Sequence, residues 1–261
     1  MKWISVSNKD RVCEVILNRP DVRNAFNPAM IDEITQTFKL ISDQTRVVIL
    51  RGAGEIFCSG ADLEWMKSMV KYSLEENKDD SLKLYGMFKS IQDCVVPVIA
   101  VVQGAAMGGA LGLMAVADIV ISTEATKFCF SEVKLGLVPA VISSFVLQKA
   151  NRSLVVPLMI AGKVFNTNEA LRCGLVHQTA SSEQVEEIVE SWISSILDAA
   201  PDAVKETKVL VNQILDLEEA QRKELSVSLI AARRVSAEGQ EGLKAFLEKK
   251  SPSWKSPWKE K

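Results

Sequence analysis

Three short runs, RVVIL at 46–50, VPVIAVV at 96–102 and DIVIS at 118–122, are apolar and rich in β-branched residues apart from their end positions, and helical spacing separates them. A strand buried on both faces reads as such a continuous run, and parallel sheets covered by helices are where such strands occur. Strand and helix repeating in this order predicts an α/β fold of crossover units around a largely parallel sheet. The start of the chain differs. WISVS and VCEVILNRP flank the turn residues NKD and end at Pro20, which predicts an antiparallel hairpin. After it, Asn27 can cap and Pro28 can open a helix carrying Ile31, Ile34, Phe38 and Ile41 on one face.

From about Asn166 the strand signals fade. NTNEALRCG offers a cap and a terminating Gly174, and helical periodicity runs on through Leu247. The expected division is an α/β core over residues 1–195 and a helical region over 196–261. The tail KKSPSWKSPWKEK reads as neither helix nor strand. Trp254 and Trp258 are costly to leave in water, so a groove or neighbouring subunit that holds them and a partly disordered tail stand as alternatives.

With 31 basic and 33 acidic side chains the net charge is −2, and no basic stripe offers a footprint for a nucleic-acid backbone. The apolar run from Gly104 to Ala117 is too short for a bilayer, so no membrane span is expected. Asn8, Lys9, Asp10 and Arg11 fall where a signal peptide needs its apolar stretch, which points to a cytoplasmic protein. Cys13, Cys58, Cys94, Cys129 and Cys173 form no CxxC pair, so neither zinc nor a disulfide framework is expected.

Two strand-to-helix junctions carry the chemistry. In VVILRGAGEIFCSGADLEWM and VIAVVQGAAMGGALGLM, glycines let the backbone approach a ligand, and the helix that follows turns unpaired N–H groups outward. Two such ends facing one point form an oxyanion hole, which suits enolate chemistry on a thioester. The alternative is that the glycines only permit tight turns and close helix packing, with Gly108 and Gly112 on one face. Neither junction matches a phosphate-loop or dinucleotide fingerprint. In KFCFSEVKLGLVP, Glu132 stands among Phe128, Phe130, Val133, Leu135 and Leu137. Desolvation there raises a carboxyl pKa toward the range of a general acid/base; pairing with Lys134 at a sheet edge is the other reading.

IFCSGADLEWM and VQGAAMGGALGLMAVADIVI resemble the two oxyanion segments of the crotonase, or enoyl-CoA hydratase/isomerase, superfamily. NRPDVRNAFNPAM is similar to its CoA-contacting stretch and EGQEGLKAFLEKKSPSW to its C-terminal helix. The likeness spans essentially the whole chain. GADLEWMKSM, FCFSEVKLGLVPAVIS and RVSAEGQEGLKAFLEKK most resemble the bacterial methylglutaconyl-CoA hydratases of leucine breakdown. The resemblance implies a spiral of ββα units with a C-terminal helical trimerisation region, assembly as a homotrimer or a hexamer of two trimers, and no metal or redox cofactor, with coenzyme A only as part of the substrate. It also implies oxyanion donors at the backbone N–H groups of Ala61 and Gly109 and Glu132 as acid/base. CoA would lie along Arg23 and Ala25 with its adenine near Ala61, Asp62 and Leu63, while Phe246 and Lys249 reach a neighbouring subunit's CoA.

The chain departs from the family at one place. The second family glutamate aligns with Gly112. The expectation is that Glu132 acts alone, activating water for attack at C3 and returning a proton to C2, while Gly112 leaves room for a bulkier, branched and carboxylated acyl group such as 3-methylglutaconyl. Lys67, Lys134, Ser143 and Ser144 are candidates for holding the distal carboxylate. Trp65, Met66 and Met69 line the acyl pocket or pack in the core, their helical spacing fitting both. The single histidine, His177, is expected to be structural. A general enoyl-CoA hydratase or isomerase, a dehydratase of polyketide β-branching, an RNA-binding relative and a CoA-ester-binding pseudoenzyme are the alternatives.

Overall fold

The computed structural model describes residues 1–255; Trp258 lies outside the described residues. Two compact units are present. The first comprises Met1–Cys94 and Val98–Val189, the second Val95–Pro97 and Glu190–Lys261.

The first unit opens with the expected hairpin, β1 (Ile4–Lys9) antiparallel to β2 (Val12–Leu17). β3 (Val47–Gly52), β4 (Val98–Val102) and β6 (Ile119–Thr123) are the three apolar runs, and they extend the sheet in parallel. The sheet order is β1-β2-β3-β4-β6-β9, where β9 is Gln178–Ala180. β4 is buried at every position, as a strand covered on both faces must be. Between the strands lie α1 (Pro28–Lys39), α2 (Leu63–Met69) and α3 (Leu74–Gln92). The Asn27 side chain accepts from the Met30 N–H to start α1, and a Ser73–Glu76 capping box starts α3.

A smaller sheet, β5-β7-β8, joins β5 (Ala105–Met107), β7 (Lys127–Cys129) and β8 (Phe165–Asn166). α4 (Ala110–Val116) follows β5 directly and is buried at all seven positions. Past Glu132 come α5 (Ala140–Lys149), α6 (Arg152–Ala161) and α7 (Thr167–Arg172). Strand pairing continues past Asn166: β9 pairs with β6 in parallel. Three residues of strand are too few for an alternation to show in the sequence, which is why this stretch reads as helix alone.

α8 (Val185–Asp198) begins in the first unit and ends in the second. The second unit continues with α9 (Pro201–Gln213), α10 (Glu219–Val235) and α11 (Ala237–Leu247). Within it the buried Lys208 ammonium donates to the Val96 carbonyl at 3.0 Å. The Trp254 ring lies over α11, 3.1 Å from where a Cβ on Gly242 would stand, so this tail residue has a seat in its own unit. No helix among the described residues is long and apolar enough to cross a membrane.

Candidate active site

The two glycine-bearing junctions meet in the first unit. Cys58 and Ala106 form a parallel bridge in which Cys58 N–H donates to Ala105 O and Met107 N–H to Cys58 O. Two residues on, Gly60 takes φ +90°, and a Cβ there would stand 2.7 Å from the Met107 carbonyl oxygen. Only glycine combines that backbone region with that approach.

Across from this turn, Phe26 and Ala61 form a second parallel bridge: Phe26 N–H donates to Gly60 O and Asp62 N–H to Phe26 O, both at 2.7 Å. In a parallel bridge the middle residue's own N–H and C=O point to the opposite side. The Ala61 N–H is therefore turned away from Phe26. Gly108, with φ +52°, donates its N–H to Cys129 O on β7 and leads into Gly109, the first turn of α4, whose N–H has no intrahelical acceptor. The Phe26 ring packs 3.1 Å from the Cβ position of Gly109 and so touches both segments. Two backbone donors on apposed segments are the elements of an anion hole.

Glu132 opens a 3-10 turn, Glu132–Leu135, directly after β7 and Ser131. Its Oε1 lies 3.4 Å from where a Cβ on Gly108 would stand, so the absence of a side chain at Gly108 lets the carboxyl reach the α4 start. Its Oε2 is buried and has no hydrogen-bond partner among the described residues. Burial raises the carboxyl above its ordinary pKa, opposed only by the residue's own backbone N–H. The surroundings differ in part from the sequence expectation. Phe128 and Phe130 are fully buried, but Leu135 and Leu137 are 58% and 55% exposed, because the tight turn swings them outward. Lys134 is exposed and forms no ion pair with Glu132 among the described residues.

Gly112 sits one turn into α4 from Gly109. A Cβ there would lie 2.6 Å from Phe88 Cζ and 2.8 Å from Ile142 Cγ2. The expectation that Gly112 leaves room for a bulky acyl group is overturned: Phe88 from α3 and Ile142 from α5 already occupy that volume. Phe88 in turn packs against Phe145 of α5 in a tilted arrangement, with ring centroids 5.7 Å apart.

The remaining predicted residues scatter. Arg23 is exposed at φ +55°, and Ala25 is buried beside it. Leu63 is exposed; Trp65 is buried, and Met66 and Met69 are half-buried. The Asp62 carboxylate is committed to Arg19, at 2.7 Å, and to the Glu64 N–H at the start of α2. Lys67 pairs with Glu64, Ser143 donates to the Pro139 carbonyl of its own helix, and Ser144 is exposed. Phe246 and Lys249 lie on the second unit, and Phe246 is 81% exposed. His177 Nδ1 accepts from Val120 N–H of β6, and partial burial followed by the Lys149 ammonium lowers its pKa to about 4, so it is a neutral hydrogen-bond acceptor for that strand.

Asn24 escaped the sequence reading. Fully buried at φ +55°, it accepts from Arg19 N–H and donates to the carbonyls of Ala53 and Ile56, tying the loop after β2 to the loop after β3. An asparagine flanked by turn residues in RPDVRNAF is the signal that could have revealed it.

A family model described as enoyl-CoA hydratase/isomerase matches residues 7–257. The chain belongs to the enoyl-CoA hydratase/isomerase family. A crystal structure of an enoyl-CoA hydratase from Shewanella pealeana is 34% identical, superposes with a TM-score of 0.92, and is matched over 97% of this chain and 96% of that one. An enoyl-CoA hydratase/isomerase from Marinobacter aquaeolei is 31% identical with a TM-score of 0.92, over 98% and 100% of the two chains. The Bacillus subtilis protein YhaR, named for enoyl-CoA hydratase/isomerase, is 31% identical over 98% of this chain and 100% of its own. The fold is that of the crotonases, an α/β core followed by a helical C-terminal part.

Proposed function

We propose that this family member is a one-carboxylate enoyl-CoA hydratase acting on a branched, carboxylated substrate, 3-methylglutaconyl-CoA to 3-hydroxy-3-methylglutaryl-CoA. The observation that carries the reading is the Glu132 carboxyl, whose buried Oε2 has no hydrogen-bond partner among the described residues, lying against the same glycine pair whose helix start presents Gly109 N–H. The thioester oxygen accepts from Ala61 and Gly109 N–H. Glu132 takes a proton from water as the hydroxyl oxygen bonds to C3, negative charge moves onto the thioester oxygen, and Glu132 returns the proton to C2 as the enolate collapses. One water is added and the carboxylate is regenerated. An oxyanion donor contributes about 3 to 4 kcal/mol to such a step, and a positioned acid/base a further 10²- to 10⁴-fold.

The substrate's identity rests on the sequence segments that resemble methylglutaconyl-CoA hydratases; room at Gly112 no longer supports it. Contact of CoA with Arg23, Ala25 and Leu63 belongs to the same reading, as do the helical trimerisation region beyond residue 195, a cytoplasmic setting and a trimer or hexamer. The exposed apolar residues Val227, Ile230, Leu243 and Phe246 of the second unit support assembly. A second reading, double-bond isomerisation, is favoured by the apolar Phe88 and Ile142 at Gly112, since a shuttle that moves one proton within the substrate needs no second carboxylate to hold water.

The deciding experiment incubates the purified protein with 3-methylglutaconyl-CoA and with crotonyl-CoA, following loss of the enoyl-thioester absorbance and product mass. Preferred turnover of the branched diacid with a mass gain of one water supports the proposal. Turnover of unsaturated thioesters without mass change would put the isomerase in its place, and inertness toward all of them would sink both.

A further inference from the structure

We propose that Arg19 and Asp62 form a positioning clamp that holds the Ala61 N–H in its oxyanion orientation. The inference rests on the enolate reading above and deepens it.

The guanidinium spans the Phe26–Ala61 bridge. One side donates to the Ala25 carbonyl at 2.5 Å, next to Phe26; the other meets Asp62 Oδ2 at 2.7 Å, next to Ala61. The two side chains are 11% and 10% exposed, which sets this pair apart from the solvent-facing ion pairs of α2 and α3. Arg19 is itself held: its N–H donates to Asn24 Oδ1, and its guanidinium lies 4.8 Å from the Trp3 ring centroid. The second Asp62 oxygen accepts from Glu64 N–H, fixing where α2 begins. Ala61 therefore sits between a glycine at φ +90° and a residue anchored on both its backbone and its side chain. Against burial, which raises it, the Arg19 and Glu64 contacts hold the Asp62 carboxyl below its ordinary value, so the clamp is charged at neutral pH.

Orientation and plain electrostatics make opposite forecasts, and this separates them. If the pair acted only through its charges, neutralising Asp62 would leave a cation near the enolate and strengthen it. If it acts by orienting Ala61, the same change weakens the enolate. Asp62→Asn is the informative variant, because asparagine caps a helix as well as aspartate and keeps the side-chain size.

The probe is acetoacetyl-CoA, a β-keto thioester whose enolate absorbs in the near ultraviolet when an oxyanion site stabilises it. Wild-type protein is expected to raise the enolate band. Asp62→Asn is expected to lower the bound enolate fraction and kcat by about ten- to a hundredfold, the scale of a displacement near 1 Å, with KM changed less than about twofold. Arg19→Lys, which keeps the charge but not the two-sided reach, is expected to fall between the two. An Asp62→Asn protein with an unchanged or stronger enolate band overturns the clamp while leaving the function standing. A wild type that binds the probe without an enolate band overturns the oxyanion reading and the clamp with it. Should Arg19→Lys not fold, Asp62→Asn decides alone.

Discussion

The Phe88 ring fills the place of a side chain at Gly112: its Cζ lies 2.6 Å from the position a Cβ would take, and Ile142 closes the same space from α5. Carbon atoms in contact stand about 3.5 to 4.0 Å apart, so even alanine forces one of these buried groups to move. Where the family's second glutamate would stand, this chain has an aromatic wall.

Installing that glutamate should fail. Gly112→Glu is expected to lower stability by at least about 1 to 3 kcal/mol from overpacking, with the buried carboxylate adding to the loss, and to give no gain on crotonyl-CoA. Phe88→Ala in the same background should recover part of the stability, because it vacates the contested volume. Urea midpoints of the three proteins are the check, and a Gly112→Glu protein as stable as the wild type would refute the packing account.

Glu132→Gln removes the acid/base proposed at the glycine pair while preserving shape. A drop in kcat of about 10²- to 10⁴-fold is expected, with thioester binding by calorimetry within a fewfold of wild type. A variant that turns over normally moves the proton chemistry elsewhere.

The raised pKa of Glu132 gives linked forecasts for rate and stability. Hydration needs the ionised form, so kcat/KM should climb as pH rises through a pKa above the ordinary carboxyl value. Folding responds in the opposite sense. A carboxyl whose folded pKa is raised contributes stability below its unfolded pKa and loses that contribution as pH rises through the folded one. Glu132→Gln should therefore match wild type in thermal midpoint near pH 4 and exceed it near pH 7. A wild type that is the more stable of the two at pH 7 contradicts the burial argument.

The middle of the sheet was legible because β3, β4 and β6 are buried on both faces, and RVVIL, VPVIAVV and DIVIS announce that without reference to anything distant. The hairpin and the α1 cap at Asn27 are local effects, written in adjacent residues. β8 and β9 were not legible, because strands of two and three residues exist through pairing with segments far along the chain. The same distinction runs through the site. Glu132 and the two glycine junctions show as residue types, but the filling of Gly112 depends on Phe88 and Ile142, 24 and 30 positions away along the chain, and no local pattern encodes that contact. The family resemblance puts Asp62 near the CoA adenine, and only the fold reveals that Arg19 engages its carboxylate.

Asn24 offers the last test, of the contact between the loop after β2 and the loop after β3. Its amide serves Arg19 N–H and two carbonyls, each at 2.8 Å, and its backbone adopts a left-handed conformation that asparagine tolerates better than most residues. Asn24→Ala removes the partner of three part-buried polar groups and adds backbone strain, for an expected loss of about 1 to 3 kcal/mol by denaturant unfolding. Asn24→Gly keeps the backbone freedom but not the hydrogen bonds, so it separates the two contributions. If hydrogen bonding dominates, the glycine variant falls nearly as far as alanine; a glycine variant close to wild type would mean that backbone conformation, and not the three-way bonding, holds this loop in place.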